Sequence, residues 1–323
     1  MRPLAVLASR VRYEEKRVLA ALERRGVPYV HLDTRRFSAE LGGRDPGGAE
    51  PGGAAEPPCA EPPYAEPPCA EPPYAAALNR EISQSRGLYA SLLLEARGVP
   101  AVNRSEVIGV CGDKLRTSLA LERAGVPAPR TAVALAPEEG AGAAERLGYP
   151  VVIKPLAGSW GRLVAVARDR AAAEALLEHR AALPSPQQHI VYLQEFVEKP
   201  GRDIRVIVAG DEVVGATYRY ADGWRTNAAR GARSEPCPLV PEVTDLALAA
   251  AEAVGGGVLG VDLIEGPDRL LVLEVNHAVE FQSFQTAHGD SLDVADAIVS
   301  HALAVARSHE RPAPPPSGLR EAR

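Results

Sequence analysis

From its first residues, this chain's apolar positions alternate between short runs and helical stripes. Leu4 to Leu7 predicts a strand. Glu14 to Arg25 predicts a helix with Val18, Leu19 and Leu22 on one face, closed by Gly26, and Val27 to Leu32 predicts a second strand. Strand, helix and strand at this spacing predict a parallel α/β unit. The pattern then stops. Gly42 to Gly53 is rich in Gly and Pro, and a five-residue unit follows four times, EPPCA, EPPYA, EPPCA, EPPYA, over Glu56 to Ala75. Proline at this density locks φ and removes backbone donors, so the expectation is an extended surface insertion, either an expanded tolerant loop or a docking arm.

Order is expected again from Ala75 to Arg80, followed by a turn at Ser83 to Gly87 and a helix from Leu88 to Arg97. A strand at Val99–Val102 and a helix at Asp113–Ala124, stopped by Gly125 and Pro127, come next. Further strands are predicted at Val151–Lys154, Leu163–Ala167, Ile190–Gln194, Ile204–Val208, Glu212–Tyr220, Val258–Leu263 and Leu270–Val275. Helices are predicted at Ala171–His179, Val243–Val254 and Val294–Val305. The fold class is therefore α/β (α+β). Its expected divisions are residues 1–112 with a disordered insertion at 42–75, then 113–197, 198–308, and a disordered tail at 309–323.

Composition narrows the function classes. Hydrophobic residues make up 46% of the 323 positions, enough for a sizeable core, and 36 basic residues stand against 42 acidic ones. That net charge of −6 argues against general nucleic-acid binding, which needs a basic surface. No apolar run approaches the roughly 20 residues that span a bilayer, and the first residues lack a signal peptide's apolar centre. The expectation is a cytoplasmic protein with no membrane association. Cys59, Cys69, Cys111 and Cys237 form no CxxC pair, so neither a disulfide framework nor a structural zinc site is expected.

Four clusters carry candidate chemistry. Lys154 ends a strand just before Gly158-Ser159-Trp160-Gly161-Arg162. A Gly-rich loop lets backbone N–H groups approach an anion, and a lysine beside it supplies a point charge for phosphate; a solvated strand end is the alternative. Asp262 sits in VLGVDLI, while Glu274 and Asn276 lie two apart in LLVLEVN and so share a strand face. If the two strands pair, three hard oxygen donors converge, a set suited to Mg²⁺. Glu195 and Phe196 end an apolar strand ahead of Gly201 to Arg205, an arrangement that serves either a nucleotide or a surface turn. Arg225, Asn227 and Arg230 form a polar cluster read as a loop or as an anion site.

Taken together, CGDK, YPVVIKP, GSWGR, QEFVEKPGRDIRV, TNAARG and EVNHAVEF resemble the LysX type of ATP-grasp ligase, a branch of the RimK-like group. The resemblance implies an ATP-grasp fold, an N-terminal α/β domain and two α+β subdomains gripping ATP. It implies a ligase that phosphorylates a carboxylate to an acyl phosphate, which an amine then attacks. The cofactors implied are ATP and Mg²⁺ (or Mn²⁺). The implied partner is a small acidic, zinc-containing amino-group carrier protein, whose C-terminal glutamate receives 2-aminoadipate, glutamate or a related amino acid. A homodimer or homotetramer is the oligomer the group suggests. A RimK-like ligase adding glutamate to a ribosomal protein tail or a small metabolite, and a non-catalytic nucleotide-binding module, are the competing readings. By resemblance, Lys114 and Lys154 neutralise phosphates, and Glu195 and Phe196 meet adenine through their backbone. Asp203 lies near ribose or phosphate, Arg225 and Asn227 stabilise the transferring phosphoryl group, and Gly158, Ser159, Trp160 and Gly161 close over it. Asp262, Glu274 and Asn276 hold the metal, while Ser83, Arg86, Arg230, His277 and Glu280 face the substrate. Where the family pattern reads NHTxEF, this chain has Ala278 in NHAVEF, one hydroxyl fewer near the expected substrate pocket.

Overall fold

The computed structural model describes residues 2–41, 73–158, 162–221, 223 and 233–310. β1 (Leu4–Leu7) is buried at all four positions, as a central parallel strand must be when both its faces are covered. α1 (Tyr13–Arg24) follows it, then β2 (Tyr29–Leu32), β3 (Ala77–Asn79), α2 (Gln84–Glu95) and β4 (Ala101–Val102). The four strands form one parallel sheet in the order β2-β1-β3-β4. Chain order therefore reverses between β1 and β3, and the crevice at their carboxyl ends is the switch point where open α/β sheets bind ligands. Val18, Ala21 and Leu22 of α1 pack with Ile298, Val299 and Ala302 of a helix from the far end of the chain. Full burial contributes about 2 kcal/mol for each of the larger side chains.

Two of the expectations for this region are corrected. The insertion was expected to reach Ala75, but Tyr74 and Ala75 are buried, and the Ala75 N–H donates to Pro3 O at 3.0 Å. Tyr74 fills the side of the sheet lined by Leu7, Leu32 and Leu94, so the last unit of the repeat is anchored in the core. Ser83 to Gly87 was expected to be a turn. Instead Ser83 caps α2, its hydroxyl accepting the Arg86 N–H, and the helix begins at Gln84. The other repeat units, with Cys59 and Cys69, lie outside the described residues.

α3 (Ser105–Cys111) and α4 (Lys114–Arg123) lead to a second, antiparallel sheet. It is built from β5 (Thr131–Ala134), β6 (Val151–Lys154), β7 (Ala165–Ala167) and β8 (Val191–Glu195) in the order β5-β8-β6-β7. α5 (Gly140–Leu147) and α6 (Arg170–Ala181) cover one face, packing Ala143, Ala144 and Leu177 on Val151, Ile153, Val191 and Leu193. Neither β5 nor α5 was expected, because their inward positions are mostly alanine and give little hydrophobic contrast. Gly140 allows α5 to approach α6 closely, since a Cβ there would lie 2.6 Å from Leu177 Cδ2. By alternation, Val152, Lys154, Tyr192 and Gln194 turn to the opposite face.

The short α7 (Pro186–His189) precedes β8. The third sheet holds β9 (Arg202–Ala209), β10 (Glu212–Tyr220), β11 (Arg233–Pro236), β12 (Val258–Glu265) and β13 (Leu270–Asn276), in the order β11-β10-β9-β12-β13. α8 (Pro241–Ala253) covers one face, burying Val243, Ala247 and Ala250 on Val206, Val208, Leu259 and Val261. α9 (Gln282–His288) and α10 (Val294–Glu310) bring Phe281, Phe284 and Ile298 between this sheet and the N-terminal one. Buried Asn103 joins the two sheets, its amide donating to Val258 O and His277 O at 2.8 Å each and accepting the Val258 N–H. Gly257 is required beside it, because its φ is +115° and a Cβ would sit 2.2 Å from Asn103 Oδ1. α10 runs through Glu310, past the expected end of order at His309; residues 311–323 lie outside the described region. Among the described residues, no helix is long and apolar enough to cross a membrane.

Candidate active site

The face of the third sheet opposite α8, beyond the part packed on Phe284 and Ile298, carries polar side chains. Thr217, Arg205, Asp262 and Glu274 stand directly opposite one another on β10, β9, β12 and β13. A shift in register between Asp262 and Leu263 lets Val272 and Val275 both reach the core while Glu274 and Asn276 stay on the open face. The expected pairing of the two strands is thus found, and it brings Asp262, Glu274 and Asn276 together. The Asn276 NH₂ donates to Asp262 Oδ2 at 3.3 Å.

Asp262 is buried and ion-paired with two arginines, Arg205 Nε at 2.5 Å and Arg219 Nη2 at 2.9 Å. Burial alone would raise its pKa; the charges of Arg205 and Arg219 outweigh that and hold it below the ordinary carboxylate value. Both arginines approach the same oxygen, Oδ1, while Oδ2 accepts from Arg205 Nη2 at 3.0 Å and from the Asn276 amide. Arg219 Nε also donates to Asp203 at 2.7 Å, and Lys199 lies 3.8 Å from the same carboxylate.

One lysine arrives from a helix packed on the core of the third sheet and one from the second sheet. Lys114 opens α4, whose cap Asp113 accepts the N–H groups of Leu115 at 2.9 Å and Arg116 at 3.2 Å. Its ammonium bridges Glu274, at 3.2 Å, and Gly158 O, at 3.0 Å. Lys154 at the end of β6 is half-buried and donates to Gln194 Oε1. Burial depresses its pKa to about 8; Glu274 pulls it up, while the neighbouring cations Lys114 and Lys199 push it further down. A lysine so crowded by cations is poised for an anion.

A cavity of about 300 Å³ opens from this row toward the N-terminal sheet. It is lined by Lys114, Gly158, Asp262, Glu274, Asn276, His277 and Glu280 from the expected set, and by Arg12, Arg80, Arg205 and Arg219, to which the sequence reading assigned no role. Their signal was present in part, since Asp203 and Arg205, like Thr217 and Arg219, are polar residues two apart inside otherwise apolar strands. His277 is half-buried near Arg80, and burial first, then that charge, lowers its pKa to about 4, so its imidazole is neutral at pH 7.

Other expected positions stand apart. Ser83 and Arg86 are not among the cavity's described lining; Ser83 caps α2, and Arg86 pairs with Glu81 at 3.3 Å. Glu195 is ion-paired with Arg130 at 2.8 Å, and the N–H groups of Glu195 and Phe196 donate to Arg130 O and Pro150 O. An adenine edge at these two positions would have to meet carbonyls rather than N–H groups. Ser159, Trp160, Gly161, Arg225, Asn227 and Arg230 lie outside the described residues. The expected free thiols are found at Cys111 and Cys237, and burial raises the pKa of Cys111 to about 12.

Two antiparallel sheets, each backed by helices, with a lysine from a helix and a lysine from the second sheet beside carboxylates of the third, define an ATP-grasp ligase. The chain belongs to the RimK-like ATP-grasp family: its residues 111–301 match the RimK-like ATP-grasp domain, and residues 4–46 and 63–110 match the LysX preATP-grasp domain. It is similar to the alpha-aminoadipate–LysW ligase LysX of Saccharolobus solfataricus, with 39% identity over 64% of this chain and 76% of that protein. It is also similar to the glutamate–LysW ligase ArgX of Sulfurisphaera tokodaii, with 36% identity over 71% of this chain and 81% of that protein. Among solved structures, the RimK domain ATP-grasp protein of Sphaerobacter thermophilus superposes with a TM-score of 0.72 and 27% identity, covering 93% of this chain and 99% of that one. The chain is thus an ADP-forming ligase that makes a carbon–nitrogen bond, in a class that uses ATP and a divalent metal.

Proposed function

We propose that the chain joins the α-amino group of 2-aminoadipate or glutamate to the C-terminal glutamate of a small acidic, zinc-containing carrier protein, with Mg²⁺ as the metal. The reading is carried by the placement of Lys114, Lys154 and Glu274 around one anion-ready space, in a chain whose relatives bear the names of two LysW ligases. The spans 1–112, 113–197 and 198–308 are the three working units, one for each sheet.

Phosphoryl transfer asks for positioning and charge neutralisation more than for a protein nucleophile. Lys114 and Lys154 supply charge to the phosphates, and Gly158 to Gly161 cover them. Asp203 lies toward ribose or phosphate, with the nucleotide base along Glu195 and Phe196. Arg225 and Asn227 stabilise the group in transfer, Arg230 and His277 line the substrate side, and Glu280 meets the amine. The carboxylates of Asp262 and Glu274 and the amide oxygen of Asn276 are a hard-oxygen donor set on one cavity wall, the chemistry that would hold a divalent cation. When bound, the metal neutralises phosphate charge as the acyl phosphate forms. Arg205 and Arg219 hold Asp262 ionised for that role.

The test is ADP release with ATP, Mg²⁺, a glutamate-ended carrier protein and a panel of amino acids. Carrier-dependent release with a matching mass increase on the carrier is the expected result. Release with small acids alone would replace the carrier by a metabolite.

A further inference from the structure

One wall of the same cavity is built from the switch-point crevice of the N-terminal sheet. Arg12 lies on the loop after β1, and Arg80 and Glu81 directly follow β3, so all three stand at the carboxyl ends of the strands between which chain order reverses. Arg80 is buried, with its side chain 4% exposed, 3.3 Å from Glu15 and donating to Val279 O at 2.8 Å, yet its Nε has no hydrogen-bond partner. Burial lowers the pKa of this arginine despite the charges of Glu15 and Glu14, the mark of a buried cation whose compensation is incomplete.

The nearby carboxylates already have partners, Arg80 itself being one of those of Glu15. Glu14 accepts the N–H groups of Phe281 and Gln282, and Glu15 accepts the N–H and Nε of Arg12. Glu81 accepts from Ser9, Thr34, Ser83 and Arg86. The remaining anion is Glu280, half-exposed and paired with Arg12 Nη1 at 2.6 Å across the cavity wall. This is an ion pair in a mouth open to water, cheap to exchange. An amino-acid zwitterion carries its two opposite charges on one carbon, a spacing that can replace both halves of such a pair at once.

The geometry points to this crevice as the seat of the amine-donating amino acid, whose α-carboxylate docks on Arg12 and buried Arg80 while its ammonium takes over Glu280. The inference rests on the ligase reading and names two residues that select an amino acid carrying a free α-carboxylate. Arg80 supplies the fixed anchor, held by Glu15 and Val279 O, and Arg12 is the exchangeable partner.

The experiment is titration calorimetry of glutamate and 2-aminoadipate, each beside its α-carboxamide, into the full chain with Mg²⁺ and a non-hydrolysable ATP analogue. The free acids are expected to bind at least tenfold more tightly than the amides. Arg12→Gln and Arg80→Lys should each erase most of that gap while leaving nucleotide affinity unchanged; the lysine keeps a charge against Glu15, so the fold is retained. Equal losses for acid and amide, no binding of either amino acid, or a rise confined to the carrier's KM would each overturn the inference. Failure of the ligase reading looks different: no ADP release with any carrier or acid, with the acid–amide gap and its loss in the variants intact.

Discussion

At the residue scale, the site works by placing charges where they lack full compensation. Lys154, with its pKa lowered to about 8 by burial, is charged at pH 7 and largely neutral at pH 9. ATP affinity is therefore expected to fall by up to about tenfold between those pH values. Lys154→Met should bind weakly with a flat profile, as read by calorimetry, and should abolish amide formation. The sign for stability is opposite. The unfolded chain holds this proton up to the ordinary value of 10.5, so the group's contribution to stability rises as pH climbs from about 8. Asp262 and Glu274, both proposed ligands, differ in a way a stability assay separates. Asp262→Asn leaves Arg205 and Arg219 facing each other in a buried site and should cost about 3–5 kcal/mol in urea unfolding. Glu274 is partly exposed and paired only with Lys114 among the ion pairs found, so Glu274→Gln should cost about 1 kcal/mol or less while raising the Mg²⁺ requirement and lowering turnover. An unchanged metal dependence would place the ligands elsewhere.

At the element scale, α4 aims Lys114 because its first turn is fixed. Asp113 accepts two N–H groups of that turn, and the Lys114 N–H donates to Leu156 O at 3.0 Å, tying the helix start to the segment ahead of Gly158. Asp113→Ala should cost about 1 kcal/mol of stability. It should also raise the KM for ATP more than that for the amino acid, because the helix start that frays is the one carrying Lys114, the proposed phosphate lysine. Equal rises in both would count against this geometry. The strands that carry the chemistry were legible because each breaks an apolar run with an acid at a defined place. β5 and α5 were not, since alanine-rich stretches pack by small size rather than by contrast, and only the approach of α5 to α6 reveals their role. The cap at Ser83 was mistaken for a turn for a related reason: polar capping residues and turn residues are chemically the same set.

At the scale of the whole molecule, the repeat enters and leaves a finished domain. Removing Glu56 to Ala70 deletes three copies and keeps the last one, with Tyr74 and Ala75, in place. That deletion is expected to leave the thermal midpoint and the ligase rate essentially unchanged. Extending it through Ala75 removes a buried aromatic and the Ala75–Pro3 hydrogen bond, and should cost about 3 kcal/mol or more. Loss of soluble protein in the shorter deletion would instead give the repeat a structural part. The candidate site belongs to the assembly of the sheets: α1 and α10 share a core, Asn103 ties β4 to β12, and the cavity takes its walls from both ends of the chain.

Local periodicity and residue type were enough to determine the strand–helix succession, the interrupted N-terminal unit, the acid and the amide two residues apart on β13 and the lysine ahead of its glycines. Each of these depends on neighbours within a few positions, and the motifs as a set carry the family. What only the tertiary structure decided were contacts between residues far apart in sequence. Arg205 and Arg219 meet Asp262 because three strands align in register; Tyr74 belongs to the core because β3 follows it at once; Arg12 and Arg80 face one cavity because β1 and β3 are neighbours at a switch point. No short window of sequence contains both partners of such a contact, so sheet order and register had to be seen before the charges could be paired.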